Sequence, residues 1–284
     1  MKRIKTIAFS LIILCFAAFS GVAQTTSSIV KTNLSQAEID NIIKKMSDNE
    51  EEFRIALSNY VFNRKATIQE IGLGGQIAGT YRRDSFLTFT KDGKRFERIV
   101  FSPVSTLRNL QITPADLDDL GGINPFAIKP SEISLYNFNY LGKEKIDELD
   151  LHVFEVSPKV MPNPKKSDLR LFQGRIWIDD RDLMIVKSKG KAVPEGKDKQ
   201  GNDQRFPIVE TWRENVDGKY WFPSYSSADD ELVFDSGNVL KMRMRVQFTD
   251  YAQGRSSVQV LDDEEPVEDN PTPIPSPTPT PKKP

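Results

Sequence analysis

The apolar positions of this chain change period near Ser58, and the change divides it. Upstream, Ile39, Ile42, Ile43 and Met46 fall at i, i+3, i+4 and i+7, the stripe of an amphipathic helix. Phe53, Leu57 and Tyr60 keep that phase, which admits a helix running on past Asp48 and Asn49 as well as one that breaks there. Ser35-Gln36-Ala37-Glu38 has capping-box spacing, in which Ser and Glu satisfy each other's orphan amides at a helix start.

Downstream the period is two. Asp92-Gly93 sits between alternating arms, Thr88 to Lys91 and Lys94 to Arg98, and suits a tight hairpin turn. Ile133 to Tyr140 and Leu149 to Val156 read as a second pair around Gly142. Leu169 to Ile178 and Leu183 to Lys189 flank Asp179-Asp180-Arg181-Asp182. Phe206 to Glu214 and Lys219 to Phe222 flank Asn215-Val216-Asp217-Gly218, and Glu231 to Phe234 and Val239 to Asp250 flank Asp235-Ser236-Gly237-Asn238. In the last arm Leu240, Met242, Met244, Val246 and Phe248 alternate with Lys241, Arg243, Arg245, Gln247 and Thr249, so one face is buried and the other wet. The pattern predicts a mainly β (α+β) fold: an antiparallel meander of about ten or eleven strands with one N-terminal helix. Two stretches interrupt it. Residues 103–130 carry Thr113-Pro114 through Leu120-Gly121-Gly122, with Pro at a first helical turn and Gly past the last, a short helix inside a long connection. Pro194 to Asp203 is polar and Gly-rich, an exposed hairpin loop.

The two ends differ from this body. Lys2-Arg3-Ile4-Lys5, the apolar run Ile7 to Phe19 and the small-residue exit Ser20-Gly21-Val22-Ala23 read as an export signal cut near Ala23. The apolar run, about 13 residues, falls short of the ~20 that span a bilayer. Cys15 lies inside that run after Leu14, a poor context for acylation. The expected address is periplasmic or secreted. Asp262-Asp263-Glu264-Glu265 leads into Pro271-Thr-Pro-Ile-Pro-Ser-Pro-Thr-Pro-Thr-Pro281, whose alternating prolines lack amide donors and favour an extended polyproline conformation. The expected organisation is 1–23 export signal, 24–34 flexible, 35–261 one domain, 262–284 solvated tail.

Composition narrows the chemistry. Without its ends the chain holds 34 basic and 34 acidic residues, against a nucleic-acid binder driven by a basic surface. The single cysteine, Cys15, lies in the export signal and His152 is the single histidine, which excludes disulfides, thiol nucleophiles and His/Cys zinc sites within one mature chain. Asp179, Asp180 and Asp182 read as a solvated turn, and Asp229, Asp230 and Glu231 likewise, rather than as paired catalytic acids. His152 lies in the strand Leu151 to Val156, and no Gly-x-Ser-x-Gly elbow accompanies it. Gly72-Leu73-Gly74-Gly75 lacks the Lys-Ser or Lys-Thr of a phosphate loop and reads as a turn. No catalytic residue, metal or cofactor is expected.

What the strands carry in excess is apolar surface. Phe172, Ile176 and Ile178 share one face with Leu171 and Trp177 opposite; Phe206, Ile208 and Trp212 share another; Tyr220 and Phe222 flank Trp221. Either protein covers the sheet on both faces, or the sheet curls around an apolar hollow. The phrases Phe172-Gln173-Gly174-Arg175-Ile176-Trp177-Ile178-Asp179-Asp180-Arg181-Asp182 and Trp212-Arg213-Glu214-Asn215-Val216-Asp217-Gly218-Lys219-Tyr220-Trp221-Phe222-Pro223 resemble strand–turn–strand segments of bacterial envelope proteins. With the layout of Ser35 to Asp250, the chain resembles the half-barrel of the outer-membrane lipoprotein-sorting proteins. That resemblance implies a curved sheet with helices closing a cavity for lipid chains. On it, Trp177, Phe206, Ile208, Trp212, Phe222, Met242 and Met244 are expected to line a concave lipid site, with Leu117, Leu120, Ile123 and Phe126 on a lid. The expected partner is a lipid, an acyl chain or a lipidated envelope protein. The alternative is an envelope interaction module with a filled β core and no ligand.

Overall fold

The computed structural model describes residues 29–89, 95–113, 116 and 128–254. Ser35 caps the helix as its spacing requires: Ser35 Oγ accepts from the Glu38 amide at 3.3 Å, and the Glu38 carboxylate accepts the Ser35 amide at 2.7 Å. The helix, α1 (Gln36–Leu57), passes through Asp48 and Asn49 without a break.

The strands are β1 (Tyr60–Ile71), β2 (Ile77–Phe89), β3 (Arg95–Phe101), β4 (Tyr136–Ile146), β5 (Leu149–Pro158), β6 (Leu171–Asp179), β7 (Ile185–Val193), β8 (Gly196–Lys197), β9 (Asp203–Gln204), β10 (Val209–Val216), β11 (Tyr220–Val233) and β12 (Val239–Gln253). Ten of them form one open antiparallel sheet in the order β3-β2-β1-β12-β11-β10-β7-β6-β5-β4, and β8 pairs only with β9. The meander is therefore in two parts, β1 to β3 and β4 to β12, sewn together where β1 pairs with β12. After β3 the chain must travel from one edge of the sheet to the other, which is the work of the long connection at 102–129.

Two local features depart from the sequence reading. Gly142 is not a hairpin turn; β4 runs through it and turns at Asp147, which has φ 51°. Gly142 marks a bulge instead, and a Cβ there would stand 2.3 Å from the Val30 carbonyl oxygen. Its missing side chain lets residues 29–31 lie against the β4 edge, where Val30 and Lys143 exchange backbone hydrogen bonds of 2.7 and 2.9 Å. Pro223 does not end a strand either. A bulge between Trp212 and Arg213 takes it into one long β11, and β11 starts pairing with β12 only at Tyr225, so no ladder needs the amide that proline lacks. The Asp217-Gly218 turn is as expected, with both residues at positive φ.

Alternate side chains serve two apolar layers. On one face α1 lies across the sheet: Ile42, Ile43 and Met46 pack with Phe154, Phe172, Ile176 and Ile178, while Phe53, Ala56 and Leu57 pack with Phe62, Phe222 and Phe248. Leu151, Val153, Trp177 and Val186 form a separate cluster on the opposite face. Midway along α1, Glu50 is fully buried and takes two hydrogen bonds from Arg213, at 2.6 and 2.9 Å. The Arg213 guanidinium also lies 4.5 Å over the Phe53 ring.

Breaking this pair leaves one buried charge unmatched. Glu50→Ala is expected to destabilise the fold by about 3–5 kcal/mol in urea unfolding, and the double change Glu50→Leu with Arg213→Met by much less. Equal losses in both variants would show that packing, not charge, dominates there.

Candidate functional site

The seven residues expected to line one hollow do not share a face. Phe222, Met242 and Met244 lie on the α1 side, and the Phe222 ring is 5.7 Å from Phe53. Trp177 and Trp212 lie on the other side, because β6, β7 and β10 align Trp177, Lys187 and Trp212 in one row. There Lys187 Nζ sits 4.8 Å from the Trp177 ring and 4.1 Å from the Trp212 ring, while the indoles donate to Glu144 at 2.7 Å and Glu210 at 2.9 Å. Phe206 and Ile208 belong to the β9–β10 connection; Phe206 lies beneath the Arg170 guanidinium at 4.8 Å and Ile208 is 47% exposed. Leu117, Leu120, Ile123 and Phe126 lie outside the described residues, as do the expected export signal and the proline-rich tail.

The α1 face has two parts. The last turn of α1 meets the sheet at Tyr60, where β1 begins. Ile68 lies eight residues further along β1, roughly 26 Å at the rise of an extended chain. Around that far end Ile68, Ala228, Leu232, Leu240, Met242 and Met244 are buried. Leu110 and Ile112, on the connection that follows β3, pack against this cluster. The connection is an irregular strap held by polar bonds. Glu70, 1% exposed, accepts from the amides of Arg108 at 3.1 Å, Asn109 at 2.6 Å and Leu110 at 2.7 Å. Thr106 and Thr80 exchange bonds through N–H and Oγ1 at 2.9 Å. Gly79 permits the crossing, since a Cβ there would meet the Thr106 carbonyl oxygen at 2.6 Å. Further along, Asp116 accepts from Thr113 at 2.8 Å and pairs with Arg170 at 3.2 Å. The strap so links β1 to the start of β6, with β12, β11, β10 and β7 between them.

Beside this lies a charged group. Glu97 accepts from Arg64 and Ser85, both at 2.5 Å, and pairs with Arg83 at 3.1 Å. Glu70 and Arg64 escaped the search for chemistry, although the alternation from Tyr60 and Phe62 to Ala66 and Ile68 places both on the buried side. His152, 6% exposed, lies 3.2 Å from the Tyr140 hydroxyl. Burial, and then Lys143, push its pKa below the ordinary histidine range. Asp179 is buried and closes the β6–β7 turn through the Arg181 amide at 2.9 Å; Asp229 pairs with Arg243 and Arg245 across the exposed face. Among the described residues no three His, Cys, Asp or Glu side chains converge on a metal site, and no helix is long and apolar enough to cross a membrane. An open cleft of 610 Å³ lies elsewhere, at the C-terminal end of α1, between Tyr60, Tyr220 and Tyr251.

No family model and no curated protein matches the chain. Among solved structures it is similar to a LolA superfamily protein from Nitrosomonas europaea, at 14% identity over 76% of this chain and 93% of that one, with a TM-score of 0.33. It is also similar to a DUF1329 family protein from Desulfovibrio piger, at 15% identity over 73% and 93% of the two chains, with a TM-score of 0.34. The likeness is one of fold alone.

Glu70→Ala removes the acceptor of three strap amides. Hydrogen exchange at Arg108 to Leu110 is expected to quicken roughly 30-fold, equivalent to about 2 kcal/mol, while exchange in α1 stays unchanged; a uniform acceleration would make Glu70 a global core group instead. For His152, the unfolded chain takes a proton below pH 6.5 that the folded chain excludes. Its contribution is therefore flat above that pH, and stability falls as the pH drops from there toward the lowered folded value. His152→Gln is expected to flatten this slope in urea titrations between about pH 7.5 and 5.5; an unchanged slope would place the proton uptake on other groups.

Proposed function

We propose that this chain is an exported, non-enzymatic envelope protein that binds an acyl chain, free or on a lipidated partner, against the far half of its concave face beneath the strap. One observation carries the reading: Ile68, Leu232, Leu240, Met242 and Met244 form an apolar surface beyond the end of α1, and an irregular segment fastened by polar bonds covers it. A helix satisfies its backbone internally, whereas such a strap depends on a few side-chain anchors and opens at a lower free energy. An acyl chain entering there replaces Leu110 and Ile112 with methylenes, and the two unbranched methionines adapt to its shape. Only Met242 and Met244 of the residues first expected at the site belong to this surface; the export signal supplies the address.

A protein-binding module with a filled core is the second reading, favoured by the close packing of α1 and the strap on this face. Fluorescent fatty-acid uptake, with native mass spectrometry of protein from a lipid-containing host, separates the two. The lipid reading expects saturable uptake that tightens roughly fourfold per added methylene, from ~0.8 kcal/mol each, and weakens in Met242→Asp. Absence of co-purifying lipid together with uptake that ignores chain length would leave the filled module.

A further inference from the structure

The cleft between Tyr60, Tyr220 and Tyr251 has no part in the reading above. Behind these walls lies the fully buried Phe222: Tyr220 stacks on it with centroids 5.6 Å apart and planes 4° apart, Tyr60 meets it edge-on at 4.8 Å, and Tyr251 lies at 5.1 Å. The hydroxyls are tied back. Tyr60 donates to Asp217 at 2.6 Å, which pushes its pKa up to about 12, and Tyr251 donates to the Pro223 carbonyl at 2.6 Å. Tyr60 is 5% exposed and Lys219 Nζ lies 4.9 Å over the Tyr220 ring, so a ligand meets rings already placed by their neighbours. Lys219 and Gln253 on the rim carry donors.

Rigid aromatic rings with donors beside them make the type of groove that holds polyproline, whose rings pack between aromatics and whose carbonyls have no internal partner. This chain carries such a segment at Pro271 to Pro281. The last described residues lie at the cleft: Ala252 and Gln253 form part of the wall, and the Gly254 amide bonds to the Asn59 carbonyl at 2.8 Å. From Gly254 to Pro271 is 17 residues, a length of chain that spans at most about 60 Å. A tether of that length gives an effective concentration near the millimolar range, so modest intrinsic affinity suffices for docking.

We propose that the proline-rich segment 271–281 docks in cis in the Tyr60–Tyr220–Tyr251 cleft, making the tail a self-ligand that a proline-rich partner would have to displace.

The test uses the chain from Gln24 onward, which lacks Cys15, with a nitroxide on Thr280→Cys and amide NMR of the fold. The expected result is loss of signal intensity at Tyr60, Tyr220 and Ala252, recovered in Tyr220→Ala. Recovery is also expected in the triple change Pro273→Ser, Pro275→Ser and Pro277→Ser, which alters none of residues 29–254 and serves even where Tyr220→Ala fails to fold. Signal loss absent from the cleft, unchanged in the serine variant, or equally strong when the spin label and the isotope are on different molecules would overturn the proposal.

Discussion

The Glu50–Arg213 pair is the constraint from which the rest of the layout follows. Both groups are buried, Glu50 on the helix and Arg213 on the sheet, and neither charge is tolerable there without the other. Sliding α1 by one turn, about 5.4 Å, would part them. The pair acts as a register pin more than as a source of stability. It also depends on the bulge beside Arg213, which sets that side chain against Pro223 and aims it at the helix. With α1 pinned, its apolar stripe covers β4 to β7 and the near ends of β1, β11 and β12, and it leaves the far ends of those last three to another cover.

That second cover differs in kind. Where α1 meets the sheet mainly through apolar side chains, the strap presents backbone amides to a buried carboxylate at Glu70 and a threonine pair at Thr80 and Thr106. A segment without a ladder of its own must find hydrogen-bond partners elsewhere when it crosses an apolar surface, and Glu70 supplies three at once. One face of one sheet is thus covered by a helix and by an irregular segment, whose Leu110 and Ile112 pack on the cluster that holds Met242 and Met244.

The surplus of aromatic residues has two destinations. Part of it builds the α1 face, and part, including Trp177 and Trp212, covers the opposite face with Lys187 lodged between the indoles. The β5–β6–β7 half is apolar on both faces, and the β1–β12–β11 half carries its apolar side chains on the α1 side, where Leu110 and Ile112 pack on them. The aromatic cluster around Phe222 is a third use, at the end of the sheet where α1 gives way to β1.

Local chemistry alone determined the helix start at Ser35, the alternating arms, the Asp217-Gly218 turn and the sheet class, because capping, period and positive-φ preference act over a few residues. Even the inward phase of Glu50, Arg64 and Glu70 is legible in those periods, although their partners are not. Tertiary structure decided which strands became neighbours and so which faces met. The pairing of β1 with β12, the bulges at Gly142 and Pro223, and the separation of Trp177 and Trp212 from Met242 and Met244 all rest on contacts between residues far apart in the chain. A period of two says that side chains alternate; it does not say which side will hold the helix, because a shift of one residue exchanges the two faces.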